Sequence, residues 1–357
     1  MLDDLLETRK IPKILPKTDK ILKDRWDIRR KEILALLQKE EYGYIPPAPK
    51  NLTYSIQSVD KRFCAGKAPR QNVVLTCEFE NGKTFSFPVC VVIPKGRKNV
   101  PFFVSINFEN TYPNKYQPTE EITDNGFGIL SFCYKDITSD DNDFSNGLSK
   151  IFYPNGKRKN DTDCGKIAMW AWAAMRVMDY AQKIDVLDLS RGAVTGHSRL
   201  GKTALLAGAL DERFFMAMSN CSGCSGASLS RKNKGETIRA ICDVFGYWFC
   251  ENYKKYTDNE NSLGFDQHFL LAALAPRKVF VSSAKEDLWA DPENEFLSCA
   301  AASEVYEKLG ISGLVCKNEI PQKEEFFPDG NIIYCLRDGM HYFSREDWKR
   351  VMQIMKK

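Results

Sequence analysis

Residues 194–203 read VTGHSRLGKT, and two kinds of chemistry compete for them. Taken as G-x-x-x-x-G-K-T, the stretch sets Gly196, Gly201, Lys202 and Thr203 in the register of a phosphate-binding P-loop, whose backbone N–H groups cradle phosphates. That pattern belongs to nucleotide-hydrolysing proteins. Taken as G-x-S-x-x-G, the stretch is a nucleophile elbow displaced by one residue from the usual G-x-S-x-G, with Ser198 on a sharp turn between a strand and a helix. That pattern belongs to esterases. Both need strand, turn and helix, so residues far along the chain must decide.

A P-loop calls for a second acidic ligand of magnesium at the end of another apolar strand. No apolar segment of this chain ends directly in Asp, and His197, Ser198, Arg199 and Leu200 are bulky for a phosphate cradle. An elbow calls for more: an acid after a later strand and a histidine after the last one, in the order serine, acid, histidine. The chain has three histidines, at 197, 268 and 341. His341, in LRDGMHYF, follows the final apolar run. The run VFVSSA leads into KEDLWADP, which sets Asp287 just beyond a strand, with Asp291 as the alternative acid.

The residue types suit acyl transfer. A serine hydroxyl must lose its proton as it attacks, and an imidazole can take that proton and return it to the leaving alcohol. A carboxylate at Asp287 would hold the imidazole in the right tautomer. The oxyanion needs preorganised donors, here the backbone N–H and guanidinium of Arg199 and an N–H from NFEN at 107–110. Plainer roles exist for each residue: Ser198 as a helix N-cap, His341 as a surface histidine, Asp287 as a cap for a helix near Pro292. Their joint order favours the catalytic roles.

Other conspicuous residues point to packing. Cys221 and Cys224 form C-x-x-C, with Cys242 and Cys250 further on, a spacing that matches no zinc ribbon. Small buried thiols near the site are expected instead. His268 in FDQHFLL is expected to be structural. Trp170 and Trp172 lie two apart on a helix and cannot share one face, so both are assigned to packing.

The elements needed to position these residues can be read from the hydrophobic pattern. Residues 17–43 read as a helix beginning near Thr18 and Asp19, with Ile21, Leu22, Trp26, Ile33 and Leu36 at helical spacing, packed on the main domain as a lid or brace. VVLTCEFENGKTFSFPVCVVI, from Val73 to Ile93, alternates about Asn81-Gly82 and reads as a hairpin. Apolar runs then begin at 102, 128, 192, 214, 278 and 331, interleaved with helix-like stretches from 166, 201 and 295. This alternation predicts an α/β fold with a mainly parallel sheet and helices on both faces. A single catalytic domain over 1–357 is expected, since 43% hydrophobic residues suffice for one large core.

A net charge of +4, from 51 basic and 47 acidic residues, lacks the basic surface of a nucleic-acid binder. No run approaches the roughly 20 apolar residues of a membrane span, and the first residues lack the order of a signal peptide. The 12 scattered cysteines fit reduced thiols. A cytoplasmic location is therefore expected for the chain as it stands, or secretion if it is a trimmed mature form. A monomer is expected, with no metal or organic cofactor.

The run WAWAAMRVMDYAQKIDVLDLSRGAVTGHSRLGKTALLAGALDERF, with SNCSGCSGASLSR, GETI and FDQHFLLAALAPRKVFVSSAKEDLWADPENEF, resembles the glucuronoyl esterases, carbohydrate esterase family 15, particularly their bacterial branch. The resemblance covers roughly residues 20–350. It implies an α/β-hydrolase fold, a three-layer αβα sandwich, and cleavage of esters joining 4-O-methyl-glucuronic acid side chains of xylan to lignin alcohols. Carried onto this chain, it implies Ser198 as nucleophile, Arg199 as oxyanion-stabilising residue and His341 as base. It further implies that Lys202 and Glu236 hold the uronate hydroxyls and that Trp289 lies beside the sugar. Many family members carry a catalytic Glu after the strand that follows the elbow helix, where this chain has Cys221, so the orienting role passes to Asp287. Polymer-acting relatives are generally exported, which leaves a short imported oligosaccharide ester or a trimmed mature chain as explanations for the N-terminus. The alternatives are an acetyl or other short-chain esterase on the same fold and, at a greater remove, a P-loop protein.

Overall fold

The computed structural model describes residues 2–15 and 25–357. Ten strands form one sheet: β1 (Asn51–Asp60), β2 (Arg70–Glu78), β3 (Thr84–Val92), β4 (Val100–Asn107), β5 (Gly128–Cys133), β6 (Leu187–His197), β7 (Met216–Asn220), β8 (Lys278–Ala284), β9 (Glu325–Phe327) and β10 (Ile332–Arg337). Their order is β1-β2-β3-β5-β4-β6-β7-β8-β10-β9. The strands from β5 through β10 in that order pair parallel to one another, with antiparallel strands at both ends.

The pattern of each strand follows from where it lies. β4, β5 and β7 are near-continuous apolar runs because helices cover both of their faces. β2 and β3 alternate about the expected Asn81-Gly82 turn, where the Gly82 N–H donates to Phe79 O at 2.9 Å and Gly82 takes a φ of +74°. One core gathers the helices Lys166–Ala181, Arg199–Leu210 and Pro292–Lys308 against one face. A second core on the opposite face packs Trp348 and Met355 of the helix Arg345–Lys356 with Phe103, Met218 and Phe280. The result is the expected three-layer α/β sandwich.

Trp170 and Trp172 are both fully buried, although they cannot share a face. The helix Lys166–Ala181 is enclosed all round: Trp170 packs edge-on to Tyr134, at 4.9 Å between centroids, and Trp172 lies 5.8 Å from Phe79 of the hairpin.

Part of the N-terminal expectation falls outside the described residues, including the helix start near Thr18 and Asp19 and the apolar pair Ile21 and Leu22. The described helix runs Trp26–Leu37 and widens into a π-helical turn at Gln38–Tyr42. It stops at Gly43, whose φ is +80° and where a Cβ would come within 2.3 Å of Cys164 Cα. This helix is a brace. Trp26 Nε1 donates to Ala275 O at 3.0 Å, and Arg30 donates to Ala273 O at 2.7 Å as well as to Ala209 O. An unforeseen helix, Leu2–Arg9, docks through Arg9 on Asn294 and Glu293 at 2.7 Å each. Among the described residues, no helix is long and apolar enough to cross a membrane.

The chain leaves β4 for β5 on one side and returns past it to β6 on the other. In open parallel sheets such a reversal opens a crevice beyond the C-terminal strand ends, where ligands bind. His197, Asn220 and Ala284 end β6, β7 and β8 at that edge, and the turn after β10 joins them there.

Candidate active site

β6 ends at His197 and the next helix begins at Arg199, so Ser198 alone makes the turn. It does so at φ +57° and ψ −128°, a conformation that costs a non-glycine residue about 1–3 kcal/mol and persists only where packing enforces it. Here the first turn of the helix lies directly against the strand. A Cβ on Gly196 would sit 2.1 Å from Leu200 O, and one on Gly201 would sit 3.0 Å from Ser219 Oγ. Close approach thus explains both glycines, to the backbone of the helix at Gly196 and chiefly to the side chains of Ser219 and Ser222 at Gly201. The Ser198 hydroxyl makes no capping bond to the helix it precedes, so the N-cap role does not apply.

His341 Nδ1 lies 2.6 Å from Asp287 Oδ2. A carboxylate at Nδ1 fixes the proton there and leaves the lone pair on Nε2, the tautomer a general base needs. Asp287 is 5% exposed and follows β8, held by the Ala284 carbonyl at its own N–H. Burial pushes its carboxyl up, but hydrogen bonds from His341, the Ala290 N–H and the Cys221 thiol outweigh that and leave it below the ordinary carboxylate value. Asp291 is engaged elsewhere. It caps the helix Pro292–Lys308 through the Asn294 N–H at 3.2 Å and accepts from the Lys234 N–H at 2.8 Å. The cap near Pro292 is therefore Asp291, and the partner of His341 is Asp287.

Arg199 leans over the same space. One guanidinium nitrogen bonds Asp140, and the group lies 4.6 Å from the centre of the Trp248 ring and 5.2 Å from that of Phe245. Asp140 is fixed in turn by Trp248 Nε1 at 2.7 Å and the Tyr134 hydroxyl at 2.9 Å. Arg199 Nε is buried and meets no acceptor among the described residues. The Arg199 side chain as a whole lines the cavity and brings its positive charge to that wall. In the NFEN turn, the Glu109 N–H is taken up by Asn107 Oδ1 at 3.3 Å.

Lys202 has no phosphate-like vacancy to fill. Its ammonium donates to Ser222 O at 2.6 Å, to Cys224 O and to Glu236 Oε2 at 2.8 Å, so all three protons are engaged by the protein. Lys202 is thus tied to the loop after β7 and to Glu236, the residue with which it was paired in the sequence. Trp289 is 57% exposed, and its carbonyl accepts from the Glu236 N–H at 2.8 Å, tying indole and carboxylate to one short stretch of rim. Ser198, Arg199, Lys202, Glu236, Asp287, Trp289 and His341 all line one cavity of about 400 Å³. These seven sequence-derived residues converge, whereas Asp291 and the turn at 107–110 do not line the cavity.

Several residues of this site were not assigned from sequence. His197 lies with its ring 4.4 Å from that of His341, and its Nδ1 is 2.6 Å from Asn220 Oδ1. Burial, then the neighbouring His341, drives its pKa down to about 3, so a neutral ring lies beside the base. Arg337 ties the histidine loop by donating to Asp338 O, Met340 O and Tyr342 O, while its Nε pairs with buried Asp347 at 2.9 Å. Glu295 lies under the loop after β7 and accepts from the Ser222 and Gly223 N–H groups at 2.9 Å each. Phe245 and Trp248, stacked at 4.0 Å, complete the wall. In the sequence, LRDGMHYF carried a hint of Arg337, four residues before His341. Asp140 sits in an Asx-rich loop with nothing to separate it from its acidic neighbours.

The residues 77–310 match a family model described as "Glucuronyl esterase, fungi". Among curated proteins, the chain is 34% identical to the carbohydrate esterase MZ0003 of an unknown prokaryotic organism, covering 90% of this chain and 82% of that one. It is 26% identical to 4-O-methyl-glucuronoyl methylesterase 1 of Wolfiporia cocos, over 89% of this chain and 75% of the relative. Among solved structures, a glucuronoyl esterase from Solibacter usitatus superposes with a TM-score of 0.87 at 32% identity, covering 97% of both chains.

Proposed function

The chain belongs to the glucuronoyl esterase family, and we propose that it hydrolyses esters of 4-O-methyl-glucuronic acid through an acyl-enzyme formed on Ser198. The reading is supported above all by one cavity that joins Ser198, the His341–Asp287 pair and the Lys202–Glu236 pair beside an exposed indole.

Ser198 Oγ attacks the ester carbonyl while His341 Nε2 takes its proton, and Asp287 stabilises the imidazolium. Negative charge gathers on the carbonyl oxygen, where the Arg199 guanidinium supplies a charged donor. Collapse breaks the bond to the alcohol, which leaves with the proton from His341. Water, deprotonated by the same imidazole, then frees the uronic acid and restores Ser198. Neutral His197 matters at the charged stage, since a second imidazolium 4.4 Å away would oppose the first. On the sugar side, Glu236 accepts hydrogen bonds from hydroxyls, Lys202 pairs with Glu236 at 2.8 Å and fixes its place, and Trp289 offers an apolar face to sugar C–H groups.

The test compares kcat/KM for a benzyl ester of 4-O-methyl-glucuronic acid with that for an aryl acetate, in the native protein and in Glu236→Ala. The expected result is a selective loss on the glucuronate ester. Equal losses on both substrates, with the acetate preferred by the native protein, would favour a short-chain esterase instead.

A further inference from the structure

Cys221, Asp287 and His341 form the single convergent group of three potential metal ligands among the described residues. One ligand atom from each lies within 4.8 Å of the other two. Thiolate, carboxylate and imidazole are the donor types that zinc and cadmium accept, and catalytic zinc sites use three protein ligands with a fourth position open. The first two donors are set by the sheet. Cys221 directly follows β7, its N–H bonded to Ser282 O of β8 at 2.7 Å, and Asp287 follows β8 itself. His341 reaches them from the turn after β10. All three line the cavity, so a cation has a path from solvent and an open position facing that space.

The electrostatic surroundings favour a cation. The carboxyl groups of Glu295, Asp287 and Asp347 surround the Cys221 sulfur, with Arg337 as the one opposing cation, an arrangement that attracts a positive ion.

We propose that Cys221, Asp287 and His341 together bind a soft divalent cation of the zinc and cadmium class, and that its binding stops turnover. One cation replaces the thiol proton and the proton shared between Asp287 and His341 Nδ1. The thiol proton passes to solvent, while the Nδ1 proton is exchanged for one taken up on Nε2, so His341 stays a neutral imidazole and no electrons move. With His341 a metal ligand, the imidazole no longer works in concert with Asp287 on Ser198. The effect on turnover rests on the reading of His341 as the base; the binding does not.

The experiment uses zinc as the kinetic probe and cadmium as the spectroscopic one, on the native protein and on Cys221→Ser. Zinc is expected to inhibit the native protein. The concentration for half-inhibition is expected to rise by about 10-fold or more in the variant, since even an outer partner of a metal ligand is worth about 10–100-fold in affinity. Cadmium is expected to give an ultraviolet thiolate charge-transfer band in the native protein that the variant lacks. Should Cys221→Ser fold poorly, Cys221→Ala repeats both comparisons with no new polar group to satisfy. Equal bands and equal inhibition in native and variant proteins overturn the proposal. A band present only in the native protein, with turnover untouched at the cadmium concentration that saturates the band, upholds the binding site and overturns the role given to His341.

Discussion

The two walls of the cavity are built on different principles. The catalytic wall hangs on strand ends: Ser198 follows β6, Asp287 follows β8 and His341 follows β10, within one ladder of paired parallel strands. The recognition wall comes from excursions between strands: Glu236, Phe245 and Trp248 belong to the long passage from β7 to β8, while Trp289 sits 57% exposed on the rim. The first wall is positioned by backbone pairing and buried polar anchors, the second by side-chain stacking and one buried ion pair, Lys202–Glu236. On the proposed function, reaction and selectivity rest on separable parts of the fold. Changes in the first should abolish turnover, and changes in the second should redistribute it among substrates.

The largest separation between the walls is expected from Asp287→Asn. An amide cannot hold His341 in the required tautomer, and such a change costs about 10⁴-fold in turnover where it has been measured. In steady-state assays every ester should suffer alike, whatever its acid half. Asp291→Asn should leave turnover near the native level, because Asp291 caps a helix. A reversed ranking of these two variants would move the acid to the other position.

A smaller and different effect is expected from Trp289→Ala. Taken as comparable to an aromatic pair, worth about 0.5–1.5 kcal/mol, loss of the proposed indole–sugar contact should raise KM for the glucuronate ester about 2- to 13-fold with kcat nearly kept. An aryl acetate should be unaffected. A loss confined to kcat would instead place Trp289 in the chemical step.

The smallest effect probes the anchor beneath both walls. Burial is the main cause that raises Glu295 from 4.5 to about 7, against hydrogen bonds from Ser283 and the Gly223 and Ser222 N–H groups. A carboxyl whose folded pKa is raised binds a proton more tightly folded than unfolded. Its favourable contribution is full below about 4.5 and is lost as pH rises through about 7. Glu295→Gln stays neutral throughout, so its urea midpoint should fall less between about pH 5 and about pH 8 than that of the native protein. Parallel midpoints in both proteins would show that Glu295 does not titrate in this window.

The same contrast explains what the sequence disclosed. The order serine, acid, histidine constrains residues far apart in the chain because consecutive parallel strands deliver them to one edge, so Ser198, Asp287 and His341 stand out against a scarcity of histidines. The hairpin about Gly82 and the parallel strands were legible for a similar reason, since burial on one or both faces writes a period into the sequence. β1 was not legible: it is an edge strand exposed along most of its length. The helix Leu2–Arg9 is only eight residues long, too short for a periodic signal. The recognition wall followed from family resemblance for Lys202, Glu236 and Trp289, and from nothing for Trp248 and Asp140. Short helical turns between Ile238 and Ser262 carry no sustained period, and pairing through side chains leaves no spacing rule. His197 was visible as a histidine but without a role, because its neutrality comes from burial beside His341, a property of the folded site.

The central claim is that the chain hydrolyses glucuronate esters through Ser198. It is tested most directly by kcat/KM of Ser198→Ala on a benzyl ester of 4-O-methyl-glucuronic acid, with circular dichroism to establish that the variant is folded. Loss of the nucleophile in comparable serine hydrolases costs about 10⁶-fold in turnover, and a folded variant with activity at the assay floor is the predicted result. A folded Ser198→Ala protein that still hydrolyses the ester at a rate near the native one would contradict the account.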